Sequence, residues 1–166
     1  MIFKFFEIKK KNLNPFKYFL LYGKNRGLIE ETIKKDLEPI LSKNKYNYEE
    51  NEILNNPENF KENILNKSFF ENDKLIIIQR ATDKIFKIIE EFVEIEIEDI
   101  TIILISDILD KKSKLRNFFE KNNKTVCIAF YEDTDQTLNF IVQNFLKKNK
   151  INFSQENINI LIERAK

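Results

Sequence analysis

Continuous apolar runs alternate along this chain with segments whose apolar residues recur at helical spacing. The runs have the character of strands that are buried on both faces of a sheet, and they occupy residues 18–22, 75–78, 100–105 and 125–130. Each run precedes an amphipathic segment; the helical segments are residues 28–41, 85–93, 115–119 and 138–146. The alternation predicts an α/β fold, with a mostly parallel sheet flanked by helices on both faces.

The segment between the first two strands is less regular. Residues 44–54 are polar and ambiguous, although the alternation of Tyr46 and Tyr48 is compatible with an edge strand. Asn56 and Pro57 then have the residue types of a helix cap and a first helical position. Phe60 and Ile64 follow at helical spacing, which predicts a helix that reaches about residue 66.

A last helix is predicted after the lysine-rich residues 147–150. Ser154 is a candidate cap, and the apolar residues on one face are Ile158, Leu161, Ile162 and Ala165. No later element follows for this helix to pack on. We therefore expect one α/β domain over residues 1–149 and the beginning of a truncated helical domain over residues 150–166.

Composition removes several kinds of chemistry. The 166 residues are 42% hydrophobic and 33% charged, which predicts a folded chain with a real core. With Cys127 as the single cysteine and no histidine, internal disulfides, cysteine-based zinc clusters and histidine-dependent catalysis are excluded.

Charge and targeting signals point to no membrane and to no global attraction for nucleic acid. The net charge is +1, so contact with DNA would require a local basic patch. The apolar character of residues 1–6 is interrupted by Glu7 and by Lys9 to Lys11, too early for a secretion signal or a membrane span. We expect a cytoplasmic protein.

The turn after the first strand lies where a nucleotide-binding protein of this class grips phosphate. A P-loop requires Gly, four residues and then Gly-Lys-Ser/Thr, because backbone amides and the lysine bind phosphate while the hydroxyl binds Mg²⁺. Counted from Gly23, those last three positions are Leu28, Ile29 and Glu30. The turn is therefore predicted to be a degenerate phosphate loop in which Gly23 serves the backbone.

Carboxylates after the third strand offer a different function. Asp107 and Asp110, with Lys112 nearby, are residue types found in Mg²⁺-dependent nucleases. The competing interpretation is a solvated loop in which Asp110 lies near a helix start. A nuclease-like enzyme using Asp107 and Asp110 therefore stays as the alternative.

The order of these pieces resembles a known family, the delta subunit of the bacterial DNA polymerase III clamp loader. The resemblance runs from about Phe16 to the end of the chain, and the segments that carry it are residues 19–23 with 26–28, residues 66–70 and residues 110–116. It implies an AAA+-like domain that neither binds nor hydrolyses ATP and needs no cofactor. A small helical domain follows in the family, and then a collar domain, which we expect to be absent from this chain.

The resemblance also implies a function in DNA replication and a clamp-binding site. Family members open the sliding clamp by inserting an apolar pair into it, and the matching positions are Phe69 and Phe70, after Ser68. Related proteins often carry leucine at the first position. From the residues alone, the two rings are either core or an exposed hot spot, and the resemblance favours the second. The implied partners are the clamp and the other loader subunits, which supply ATP hydrolysis and through which DNA is reached indirectly.

Overall fold

The computed structural model describes residues 1–4, 7–8, 11–41, 44–65, 73–95, 97 and 99–165. Within these residues, six strands form one sheet in which every neighbouring pair is parallel. The strands are β1 (Ile2–Lys4), β2 (Tyr18–Gly23), β3 (Asn44–Glu49), β4 (Lys74–Gln79), β5 (Ile100–Ser106) and β6 (Thr125–Phe130). Across the sheet their order is β1-β6-β2-β5-β4-β3. The predicted α/β fold class is confirmed, and all four apolar runs are strands.

Helices cover both faces of this sheet. They are α1 (Arg26–Thr32), α2 (Glu50–Asn55), α3 (Pro57–Leu65), α4 (Phe86–Ile95) and α5 (Lys114–Lys121). Side chains alternate across strand β2, so that Phe19 and Leu21 join one core while Leu20 joins the other. The first core includes Ile29 of α1, and the second includes Phe119 of α5. The central strands are apolar throughout because both of their faces are buried.

The predicted helix over residues 28–41 is shorter and changes its pitch. Helix α1 runs into a π-helical turn over Ile33–Leu37, where the amide of Glu38 donates to the carbonyl oxygen of Ile33 at 2.8 Å. Pro39 follows immediately, and a proline has no amide hydrogen and crowds the preceding helical turn. The helical turns therefore end before Pro39, short of the predicted end at residue 41.

Both edge strands depend on pairing with a neighbour. The ambiguous segment after residue 43 forms β3, which pairs with β4, and Tyr48 packs edge-to-face on Phe60 with ring centroids 5.1 Å apart. Strand β1 was not predicted from the sequence. Its three residues pair with β6, and Phe3 is buried in the core that includes Phe19.

The chain divides into two compact units, Met1–Phe130 and Tyr131–Lys166. The second unit contains α6 (Asp135–Lys148) and α7 (Gln155–Ala165), which pack through Leu146, Ile158 and Ile162. The division therefore differs from the expected boundary at residue 149, because α6 packs with α7. Contrary to the expectation, α7 packs on another element, which is α6. Leu161, which was predicted on the buried face, is 43% exposed.

Two predicted helix caps are confirmed by hydrogen bonds. The side-chain oxygen of Asn56 accepts from the amide of Asn59 at 3.3 Å, and the hydroxyl of Ser154 accepts from the amide of Asn157 at 3.3 Å. No helix in the described part of the chain is both long and apolar enough to cross a membrane.

Candidate functional site

The turn after β2 is built on a glycine that no other residue can replace without distortion. Gly23 has a φ angle of +138°, and its strand pairs with β6 so closely that a Cβ atom would lie 2.0 Å from the carbonyl oxygen of Phe130. Helix α1 begins at Arg26, capped by the side chain of Asn25, which accepts from the amide of Leu28 at 3.1 Å. Only Lys24 and Asn25 connect strand to helix, which is too short a loop to wrap around a phosphate group.

The residues at the phosphate-binding positions are not placed to bind phosphate or its metal ion. Ile29, at the lysine position, is 1% exposed and packs in the core with Phe19, so no side chain there reaches a ligand. Leu28 packs against the same core. Glu30 is exposed at the position of the metal-binding hydroxyl, where it would add a negative charge. Two apolar side chains packed on the core and one exposed carboxylate therefore occupy the positions where a P-loop has glycine, lysine and a hydroxyl.

A shallow crevice lies beside this turn at the carboxyl ends of the strands. It is lined by Arg26, Ile29, Glu30, Glu49, Gln79, Arg80, Ile105, Ser106 and Asp107. Arg26 donates to one carboxylate oxygen of Asp107 at 2.6 and 3.1 Å, and this hydrogen bond raises the pKa of Arg26. Arg80 lies 3.7 Å from a carboxylate oxygen of Glu49. The crevice thus pairs its cations internally instead of presenting them to a nucleotide.

Two further residues of the crevice, Ser106 and Gln79, do not supply the groups that nucleotide hydrolysis requires. The hydroxyl of Ser106 donates to the carbonyl oxygen of Ala81 at 2.6 Å. Gln79 stands at the end of β4, where a nucleotide hydrolase carries acidic residues for its metal. Its neighbour Arg80 has a φ angle of +56°, an unusual conformation for a side-chain-bearing residue.

Asp107 and Asp110 have separate structural partners. Asp107 pairs with Arg26, whereas Asp110 accepts from the backbone amides of Lys112 at 2.7 Å and Ser113 at 3.1 Å in the turn before α5. Among the described residues, no group of three histidine, cysteine, aspartate or glutamate side chains could hold a metal ion. Asp110 therefore fits the competing interpretation, and the structure gives the nuclease alternative no support.

A carboxylate that the sequence did not single out joins the loop after β4 to helix α5. Asp83 accepts from the hydroxyl of Ser113 at 2.6 Å and from the amides of Leu115 at 3.0 Å and Lys114 at 3.1 Å. Partial burial raises the pKa of Asp83, but these hydrogen bonds outweigh that effect and hold the pKa below its ordinary value. Sequence spacing carries no signal for this bond, because its partners are about thirty positions apart.

An Asp83→Asn variant tests this connection. We expect it to lower the free energy of unfolding by about 1 kcal/mol at pH 7, because the charged acceptor is lost at an exposed position. A carboxylate with a lowered pKa stabilises the fold above its unfolded pKa of about 4 and loses that effect as pH falls through the folded pKa. The difference between wild type and variant, measured by urea unfolding, should therefore shrink below pH 4. The control is Glu62→Gln on the exposed face of α3, which should change the free energy of unfolding at pH 7 by no more than about 0.5 kcal/mol.

The predicted clamp-binding residues Ser68, Phe69 and Phe70 lie outside the described residues. The structure does describe where the chain leaves and re-enters around them. Helix α3 ends at Leu65, and β4 begins at Lys74, whose amide donates to the carbonyl oxygen of Asp99 at 2.9 Å. The start of β4 belongs to the amino edge of the sheet, opposite the Gly23 turn.

Comparisons with known proteins bear on the fold. No protein-family model matches the chain, and no curated protein sequence matches it either. Among solved structures, the chain is similar to the DNA clamp loader delta protein of Bacillus subtilis, with a TM-score of 0.64 and 15% sequence identity. The match covers 95% of this chain and 51% of the B. subtilis chain, so this chain spans about half of that protein's length.

A second solved structure, domain III of the replication initiation protein DnaA of Thermotoga maritima, matches with a TM-score of 0.49 and 15% identity. That match covers 96% of this chain and 72% of the DnaA domain structure. The match to the B. subtilis protein confirms the resemblance seen in the sequence at the level of the fold: this chain has the α/β architecture of a clamp loader delta protein.

Proposed function

We propose that this chain is part of a non-catalytic clamp loader subunit that binds the sliding clamp and helps to open it for loading onto DNA. The observation that carries the proposal is the fold shared with the B. subtilis delta protein over 95% of the chain. The buried Ile29 and the two-residue loop after Gly23 support the non-catalytic assignment. ATP hydrolysis then falls to partner subunits.

The clamp contact is proposed to be Phe69 and Phe70, with Ser68 beside them. Two bulky adjacent rings in a short connection between a helix and a strand cannot easily face one core together. Polar residues, Lys67 before them and Glu71 after them, would rim an apolar anchor. An aromatic pair surrounded by polar residues is the usual composition of a protein-binding hot spot.

The body that carries this pair is suited to transmitting force. The chain is anchored on both sides of residues 66–72. Ile64, in α3, is buried in the core, and the amide of Lys74 donates to the carbonyl oxygen of Asp99. Movement of the sheet would therefore move both ends of this segment. A subunit that binds the open clamp more tightly than the closed one shifts the ring towards opening by that difference in affinity.

A Phe69→Ala/Phe70→Ala double variant tests the function. We expect it to keep its unfolding midpoint and to bind the clamp of its own species about thirtyfold more weakly, a loss of about 2 kcal/mol for a hot spot. Titration calorimetry of the purified clamp with each variant measures this affinity.

A matched control removes two rings that are exposed on helix α6. Phe140 and Phe145 are 67% and 60% exposed, so Phe140→Ala/Phe145→Ala removes the same two side-chain types at positions that the proposed contact does not include. Clamp binding should survive in that control. Equal binding by wild type and the Phe69/Phe70 variant would exclude the proposed site, and unfolding of that variant would show that its rings are core. A folded wild-type chain that does not bind the clamp would overturn the function itself.

A further inference from the structure

A small aromatic groove lies on the first compact unit and includes none of the residues of the proposed clamp contact. It is lined by Phe86, Lys114, Asn117, Phe118, Lys121 and Asn122. The rings of Phe86 and Phe118 form its floor, edge to face with centroids 5.5 Å apart and planes at 72°. Both rings also pack against the core beneath, yet both remain partly exposed.

The rim of this aromatic groove is positively charged. Lys114 and Lys121 are exposed at the two ends of α5, and Lys111 and Lys112 are exposed just before it. Within the described residues, no carboxylate forms an ion pair with these four lysines. Asp83 lies near Lys114 and offsets part of its charge. The four lysines together still leave this rim positively charged, which an acidic partner would complement.

The spacing of the rim indicates the shape of that partner. Lys114 and Lys121 are seven residues apart on a helix, which places their backbones about 10 Å apart along its axis. In an extended chain the side chains at positions i, i+2 and i+4 lie on one face, and positions i and i+4 are about 13 Å apart. The lysine side chains are long and flexible enough to reach acidic side chains four positions apart, and an apolar side chain midway between the acids lies on the same face, over the rings.

The geometry of the rings disfavours a nucleic acid. Successive bases of a single strand stack on aromatic faces that are roughly parallel to one another. Phe86 and Phe118 meet at 72°, and one ring edge covers the face of the other. The crevice between an edge and a face accepts one apolar side chain, in the manner of a hot-spot pocket with a polar rim.

We propose that the aromatic groove is a second protein-binding site, which takes an extended acidic segment of a partner protein with one apolar anchor between its acidic residues. The site lies on α4 and α5 and uses none of residues 66–72, so it stands independently of the clamp contact. Lys114 and Lys121 bind the acidic side chains, and Phe86 with Phe118 receives the anchor.

The test uses four fluorescent peptides, each with two aspartates four positions apart and one phenylalanine, leucine, isoleucine or tryptophan midway between them. We expect at least one to raise fluorescence anisotropy with the whole chain at low salt, and its affinity to fall severalfold at high salt. Lys114→Glu/Lys121→Glu should weaken that peptide by about tenfold or more, since repulsion replaces attraction. Asparagine in place of both aspartates, or alanine in place of the anchor, should also weaken it.

The control is Lys147→Glu/Lys148→Glu, an equal change of charge on helix α6, which should leave peptide affinity unchanged. Failure of all four peptides to bind, or equal weakening by the two lysine variants, would overturn the proposal. Tighter binding of a labelled single-stranded oligothymidylate that depends on Lys114 and Lys121 would overturn it in favour of nucleic acid. Clamp binding by Lys114→Glu/Lys121→Glu should stay normal, which separates this test from that of the proposed function.

Discussion

Replacing Gly23 by alanine should destabilise the protein by at least about 3 kcal/mol, because two separate penalties act at one position. The φ angle of +138° is unfavourable for any residue with a Cβ atom. The added Cβ would also lie 2.0 Å from the carbonyl oxygen of Phe130, so β2 and β6 would have to separate where they pair. Urea unfolding followed by circular dichroism measures the loss.

The chain's other glycine provides the control. Gly27 lies in α1, and a Cβ atom there would meet nothing within 4 Å. Gly27→Ala should therefore stabilise the protein by up to about 1 kcal/mol through helix propensity. A Gly23→Ala variant as stable as Gly27→Ala would show that the turn has a different backbone conformation.

Replacing Phe19 by alanine is the second change with a large expected effect. Phe19 is fully buried at the centre of the sheet, and its residue pairs with Ile103 on one side and Val126 on the other. Loss of such a ring leaves a cavity and costs about 3 to 5 kcal/mol. Tyr131→Ala, at a position 80% exposed, should change stability by no more than about 0.5 kcal/mol.

Thiol labelling of Cys127 gives an independent measure of the stability that Phe19→Ala loses. Its side chain is buried in the core that includes Phe119, and burial raises the pKa of the thiol to about 12. A thiol reagent therefore modifies it only when the fold opens, at a rate that follows the population of the open form. Phe19→Ala should accelerate labelling at least about a hundredfold in native buffer. Unchanged labelling together with unchanged urea unfolding would contradict the burial of Phe19.

The sequence predicts the inner strands well because their residues are apolar on both faces, a property that each run carries by itself. Strand β1 carries no such property. Its three residues become a strand only by pairing with β6, more than 120 positions later. Helix α6 shows the same limit, because its apolar stripe does not reveal whether it packs on a sheet or, as it does, on α7.

Some features of the candidate site could likewise be predicted from the sequence, and others could not. The role of Gly23 follows from its type and its position after a strand, and the absence of a lysine at Ile29 is visible in the sequence. The ion pair between Arg26, at the start of α1, and Asp107, directly after β5, joins residues that are 81 positions apart, so only the folded sheet brings it together. The cap that Asp83 provides for α5 is hidden for the same reason.

The strand order affects how the chain can fold while the ribosome synthesises it. Strand β2 is among the first apolar segments to emerge, yet its two neighbours, β5 and β6, are synthesised more than 80 residues later. Until then its edges and both faces lack their final partners, and unpaired apolar strands of this kind are prone to aggregate. The nascent chain is therefore expected to depend on a chaperone that shields Tyr18–Gly23 until synthesis reaches β6.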